Sequence, residues 1–266
     1  MRTIVHISDL HFGRTDCRLV EKLISLIQRM EVHLVAVSGD LTQRAKSSEF
    51  LEAREFLRVL PQPQIVIPGN HDIPLYDLYG RFVEGLRRFR RYITEDIDPF
   101  YADGELAVAG VNTARALAFK HGRVNHAAMS RLRERMREVP GEAVRILVVH
   151  HPVDLPHNSP QRPAGRALLA TKVLKDCAID VVLSGHLHQT HYAHPTERLQ
   201  LGGHAALLIQ AGTAVSTRGR GEANSFNVIR TSPREIMVEQ HTWAEASQSF
   251  VVSRRESYGR SRPGIL

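Results

Sequence analysis

Cysteine is nearly absent from this chain. The two present, Cys17 and Cys177, lie far apart and form no CxxC pair. That scarcity argues against a disulfide framework or a thiolate metal site, and both cysteines are expected to be reduced core residues in apolar helical stretches. No run approaches about 18 apolar residues, so no segment reads as a membrane-spanning helix. The first residues, Thr3-Ile4-Val5-His6-Ile7, read as a strand rather than a leader, and a cytoplasmic location is expected. Aromatics are sparse at 6%, and neither a fixed-period repeat nor a linker is visible. Residues 1–252 are expected to form a single domain, with a cap-like segment at about 73–104. Residues 253–266, rich in Arg and Ser, are expected to form a mobile tail.

The chain carries 35 Lys and Arg against 28 Asp and Glu, a formal net charge of +7. Such a surface favours anionic partners. Hydrophobic content of 42% supports a real core. Helix-period and strand-length apolar runs alternate. Thr3 to Ser8, Leu34 to Val37 and Ile65 to Ile67 read as strands. Leu19, Leu23, Leu26 and Met30 mark a helix over 16–30, and Phe50, Ala53, Leu57 and Leu60 mark the next, ended by Pro61 and Pro63. This βαβαβ unit implies parallel strands. Further strands are expected at Leu106–Val111, Ile146–Val149, Val181–Leu183, and near 205–211, 226–230 and 235–241. Helices are expected after a cap at Asn125 and over 164–176. In the irregular part, Phe82, Leu86 and Phe89 form an apolar stripe on a helix shared with Arg81, Arg87, Arg88, Arg90 and Arg91.

Five strand-like runs end in metal-binding residue types: Asp9-Leu10-His11, Gly39-Asp40, Gly69-Asn70-His71-Asp72, His150-His151 and Gly185-His186-Leu187-His188. Strand ends on one edge of an α/β sheet share a crevice. Carboxylates, imidazoles and a carboxamide gathered there have the chemistry of a two-metal hydrolytic centre. Each motif alone is weak; their joint order resembles the calcineurin-like metallophosphoesterase superfamily over positions 5 to 188. His6-Ile7-Ser8-Asp9-Leu10-His11 and Ser38-Gly39-Asp40-Leu41-Thr42 most resemble its class III cyclic-nucleotide phosphodiesterase and glycerophosphodiesterase branch. Leu41-Thr42-Gln43-Arg44 departs from the Gly-Asp-x-Val-Asp-Arg-Gly run usual in the superfamily's protein phosphatases.

The resemblance implies a four-layer α/β/β/α sandwich of two mixed sheets flanked by helices, with a dimetal site at the C-terminal strand ends. It implies that Asp9, His11, Asp40 and His188 hold one ion, that Asp40, Asn70, His150 and His186 hold the other, and that Asp40 bridges. Mixed N and O ligands suit manganese, iron or zinc. His71 would be a catalytic group at the leaving oxygen, and Asp72 would hydrogen-bond and orient it. His150 ends the apolar strand directly and is taken as the ligand, with His151 orienting the loop or lying near the substrate. His157 and Asn112 are further substrate-side candidates. The remaining histidines read as structural or surface residues.

The reaction implied is attack of a metal-bridging hydroxide on a phosphodiester such as a cyclic nucleotide or glycerophosphodiester. The alternatives are pyrophosphate cleavage in a UDP-diacylglucosamine-type lipid and, in another class, a non-catalytic metal-binding scaffold. The expected partner is an anionic phosphoester, with a membrane surface or nucleic acid reachable through the basic cap.

Overall fold

The computed structural model describes all residues except 76, 78–79, 117–121, 155–162, 188–195, 201–204, 219–220 and 261–266, with the backbone alone at 82–83 and 196–200. The first half runs β1 (Arg2–Ile7), α1 (Cys17–Gln28), β2 (Leu34–Val37), α2 (Ser47–Arg58) and β3 (Gln64–Val66). A short 3-10 turn at Asn70–Asp72 and a π-type turn at Gly80–Glu84 follow. Then come α3 (Arg87–Tyr92), β4 (Phe100–Ala102), β5 (Leu106–Gly110), α4 (His126–Arg137), β6 (Val144–Val148), α5 (Ala167–Asp176) and β7 (Val181–Ser184). The chain closes with β8 (Thr196–Gln200), β9 (Ala205–Gln210), β10 (Ser225–Thr231), β11 (Glu235–Ala244) and β12 (Ser249–Gly259).

Two six-stranded mixed sheets result, ordered β12-β11-β10-β1-β2-β3 and β4-β5-β6-β7-β9-β8. The pleat explains why their central strands are apolar throughout. In β2, Leu34 and Ala36 join Ile4, Ile146, Val148 and Leu183 in the core between the sheets. Val35 and Val37 instead pack under Leu19, Leu23 and Phe50 of the helices on the outer face. Alternate residues therefore serve opposite faces of a fully covered sheet. Helices α4 and α5 cover the second sheet through Met129, Leu132, Val173 and Leu174. The layers run α/β/β/α. Strands β1, β2 and β3 are mutually parallel, as are β5, β6, β7 and β9.

Three sequence expectations are corrected. Ser253 to Gly259 is no tail: it forms most of β12, paired antiparallel with β11. Its charged residues suit an edge strand, and Arg255 reaches Glu239 across the pair at 2.6 Å. Arg260 beyond it joins Asp180 in a buried ion pair at 3.0 Å. Cys17 is exposed while Cys177 is buried. Cys17 lies two residues before Leu19, which at 100° per residue places it opposite the Leu19–Leu23–Ile27 stripe. Arg81 belongs to no basic face. It is fully buried and donates to the carbonyls of Ala116 (2.6 Å), Pro74 (3.1 Å) and Arg115 (3.4 Å). Of the apolar stripe, Phe89 is buried and Leu86 partly buried against Phe50 and its neighbours, whereas the Phe82 side chain lies outside the described residues. No described helix is long and apolar enough to cross a membrane.

Candidate metal centre

The loops leaving β1, β2 and β3 of one sheet and β6 and β7 of the other bring Asp9, His11, Asp40, Asn70, His71, His150, His151 and His186 together at one end of the sandwich. The approach demands unusual backbone. Asp9 (φ 52), His11 (φ 50), Asp40 (φ 53) and His186 (φ 77) all hold left-handed conformations. Non-glycine residues adopt these only when the surroundings enforce them, at about 1–3 kcal/mol each, and they cluster at functional sites. Here the enforcement is a ladder between loops. Asp9 N donates to Gly39 O (3.1 Å), His11 N to Asp40 O (3.0 Å) and Phe12 N to Leu41 O (2.8 Å). Glycine is required beside it. Gly39 has φ 97, and a Cβ there would lie 2.7 Å from His150 Nδ1; a Cβ on Gly69 would collide with Asp40.

Asp40 is at the centre and fully buried. Its Oδ1 accepts from His71 N at 2.8 Å and lies 3.4 Å from His150 Nε2. Among the described residues its Oδ2 accepts no hydrogen bond, and it lies 3.8 Å from His11 Nε2. Burial works to raise this carboxyl, but the charges of His150, His71 and His11 hold it well below the usual carboxylate range. His150 shows the reciprocal effect. Burial disfavours its imidazolium, yet Asp40 outweighs burial and raises it to about 9. His150 Nδ1 donates to Ser38 O at 2.7 Å, which turns Nε2 toward Asn70 Oδ1 at 3.2 Å. His11 uses Nδ1 toward Thr42 O at 3.4 Å, leaving Nε2 3.7 Å from Asp9 Oδ1. Backbone carbonyls thus set both tautomers, the usual arrangement for metal-facing imidazoles.

Three groups have ligand atoms mutually within 4.8 Å: Asp9–Asp40–His150, His11–Asp40–His71 and His150–His151–His186. Asp9 Oδ2 accepts from His186 N at 3.0 Å. The His186 ring centroid is 5.2 Å from that of His150 and 4.5 Å from that of His151. His151 is held through Nδ1 by Thr113 Oγ1 at 2.8 Å, and its buried Nε2 has no hydrogen-bond partner among the described residues. Burial, then the neighbouring His150 and His186, push its pKa well down. His188 and His157 lie outside the described residues.

One role expected from the sequence changes. Asp72 does not touch the His71 ring. Its carboxylate accepts from Gly69 N (2.9 Å), Leu41 N (3.1 Å), Thr42 N (2.9 Å) and Thr42 Oγ1 (2.9 Å). It is a buried clamp between the loops after β2 and β3. Burial and the Asp40 charge raise it to about 6 against those hydrogen bonds. Asn112, a substrate-side candidate, accepts through Oδ1 from Ala114 N at 2.8 Å in a local turn.

His71 Nδ1 donates to Gln43 O at 2.9 Å, and Arg218 Nη1 donates to Nε2 at 3.1 Å. Burial first, then His11 and Arg218, lower the His71 pKa against the pull of Asp40. Arg218 is the residue that sequence reasoning missed. Its loop follows β9, which runs parallel to β7, so it emerges at the same sheet edge. Thr217 N and Oγ1 bond Arg14 O at 2.8 and 3.1 Å, strapping the loop down. The only sequence signal was an Arg within a Gly-rich stretch.

Comparison with known proteins agrees with this geometry. Residues 2–190 match the family model for calcineurin-like phosphoesterases. An uncharacterized Bacillus subtilis protein, YpbG, is 28% identical over 190 residues, covering 70% of this chain and 61% of that protein. The glycerophosphodiester phosphodiesterase GpdQ of Enterobacter lignolyticus is 34% identical over 82 residues, covering 26% of this chain and 29% of that protein. The chain thus spans less than two thirds of the curated relatives it matches. Among solved structures, purple acid phosphatase PPD1 from yellow lupin superposes over 98% of this chain and 54% of its own, with TM-score 0.73 and 12% identity. GAP50 of Plasmodium superposes over 99% and 90%, with TM-score 0.61 and 13% identity. The chain belongs to the calcineurin-like phosphoesterase family.

Proposed function

We propose that this protein is a dimetal phosphodiesterase. The observation that carries the reading is Asp40, a fully buried carboxylate with imidazoles on both sides and one oxygen that accepts no hydrogen bond among the described residues. A buried charge left so is costly unless paired, and a pair of cations beside Asp40 would complete it. The donor set fits. Asp9, His11 and Asp40 would hold one ion, with His188 as fourth ligand; Asp40, Asn70, His150 and His186 would hold the other. When bound, two divalent ions neutralise phosphate oxygens and lower the pKa of water. Nitrogen and oxygen donors suit manganese, iron or zinc.

The chain's own residues then divide the work. Asp72 keeps the two loops in register, and Gln43 O fixes the His71 tautomer. Nε2 of His71 is the atom that exchanges a proton with the leaving oxygen. Arg218, resting on that nitrogen, turns to a phosphate oxygen when substrate enters and releases His71. Similarity of one stretch to a glycerophosphodiester phosphodiesterase supports a diester over a monoester. The test is hydrolysis of bis(p-nitrophenyl) phosphate beside p-nitrophenyl phosphate, after chelation and return of manganese. Metal-dependent turnover favouring the diester is expected. Turnover in excess chelator with negligible metal content refutes the dimetal reading, and preference for the monoester refutes the diester.

A further inference from the structure

A cavity of about 450 Å³ is lined by Arg87, Arg90, Arg115, Asn112 and Ile73, with Glu84 and Asp98 also on its wall. Its wall residues adjoin residues of the site along the chain. Ile73 follows Asp72, and Asn112 and Ala114 flank Thr113, whose hydroxyl holds His151. The two acids on the wall are already engaged. Glu84 pairs with Arg88 at 3.1 Å. Asp98 pairs with Arg131 and accepts from Asn112 N at 2.9 Å. Arg81 and Arg88, the neighbours in sequence, are committed to backbone carbonyls. Arg87, Arg90 and Arg115 are left with no ion pair among the described residues, and all three line one concave space. Like-charged guanidinia gathered around a cavity of ligand size form an anion subsite, because a guanidinium binds phosphate or carboxylate through two parallel donors.

We infer that this cavity receives a second anionic group of the substrate, a phosphate or carboxylate carried on the same small molecule whose scissile phosphate lies at the metal centre. The inference rests on the phosphoesterase reading. A concave pocket favours a compact ligand over a membrane face or a polynucleotide, which would need an extended basic surface.

The test uses α,ω-alkanediol bisphosphates of two to eight carbons, the matching alkyl monophosphates, and ω-carboxyalkyl phosphates. Binding to the manganese-loaded protein is read by calorimetry, and inhibition of bis(p-nitrophenyl) phosphate hydrolysis is read in parallel. A bisphosphate of fitting length should bind about 10-fold or more tightly than its monophosphate, and the advantage should shrink as salt rises. Arg87→Gln with Arg90→Gln, both exposed positions, should abolish that advantage while leaving bis(p-nitrophenyl) phosphate turnover unchanged. Arg115→Gln is the second variant, with the same result expected. The carboxylate series tells which anion the subsite takes. If no linker length beats the monophosphate, or if the advantage survives in both variants, the subsite is refuted. It is also refuted if the variants weaken only adhesion to anionic vesicles or to DNA. Because binding is read without turnover, an inactive protein that still prefers bisphosphates would sink the phosphodiesterase reading and spare the subsite.

Discussion

Asp72→Ala separates a clamp from a catalytic orienter. Three backbone donors, on Gly69, Leu41 and Thr42, point at the Asp72 carboxylate from within the protein. The Thr42 hydroxyl has an alternative at His71 O, 3.1 Å away, so it need not be stranded. Each stranded buried donor costs about 1–3 kcal/mol, or about 3–9 kcal/mol for three. Against this, the fold holds the Asp72 carboxyl at about 6 rather than 3.8, so removing its charge returns up to about 3 kcal/mol at neutral pH. Water entering the gap recovers some more, and a net loss of about 3 kcal/mol is the central expectation. In a chain of this size that lowers Tm by roughly 6–12 °C. The measurement is thermal unfolding of the metal-free protein, with metal content after reloading. The pH dependence gives the sign. Because the folded pKa lies above the unfolded one, the wild type gains stability through Asp72 as pH falls from about 6 to 4, and the alanine variant cannot. The Tm gap should therefore widen from pH 7 to pH 5. A variant with unchanged Tm and metal but a kcat lowered 100-fold would refute the clamp and restore Asp72 as the orienter of His71.

Asp40→Ala should lose more activity and more metal than His11→Ala, since Asp40 lies between the groups on both sides; equal metal content in the two variants and the wild type, by elemental analysis, would count against that place. His71→Ala should keep its metal and lose kcat by about 10²–10⁴, less for substrates with good leaving groups, whereas metal loss in step with activity would make it a ligand. Arg218→Gln should raise KM for diesters by about 10-fold with metal content unchanged, and an unaltered KM would leave Arg218 as a partner of His71 alone. In the metal-free protein, His150 has its folded pKa raised from 6.5 to about 9. It contributes up to about 3 kcal/mol that is fully present below pH 6.5 and lost as pH rises to 9. Manganese-loaded protein should lack that decline, because a bound ion takes the place of the proton. Parallel urea titrations at pH 6 and 9 test this, and identical pH dependence in both forms would refute His150 as a ligand.

Metal-binding residue types at successive strand ends were legible because parallel strands within each sheet end on the same side, whatever the packing details. The same regularity made the strands and helices of the first half readable, and in the second half it marked Asn125, which caps α4 by accepting from Ala127 N at 3.2 Å. Tertiary structure decided what local pattern cannot carry. Asp72 sits beside His71 in the chain, but its carboxylate turns to three N–H groups that only the folded loops present. Arg218 meets His71 across 147 positions, and no spacing rule reaches that far. Ser253 to Gly259 looked like a polar tail because an edge strand buries little. Its order comes from the ladder to β11 and from ion pairs, which are non-local. Arg81, in a run of arginines, was indistinguishable from its neighbours until the nearby Pro74 carbonyl and those of Arg115 and Ala116, far along the chain, enclosed it. Residue type and order thus determined the fold class and the metal-binding inventory, while the hydrogen-bond partner of each side chain was decided by the packing of loops far apart in sequence.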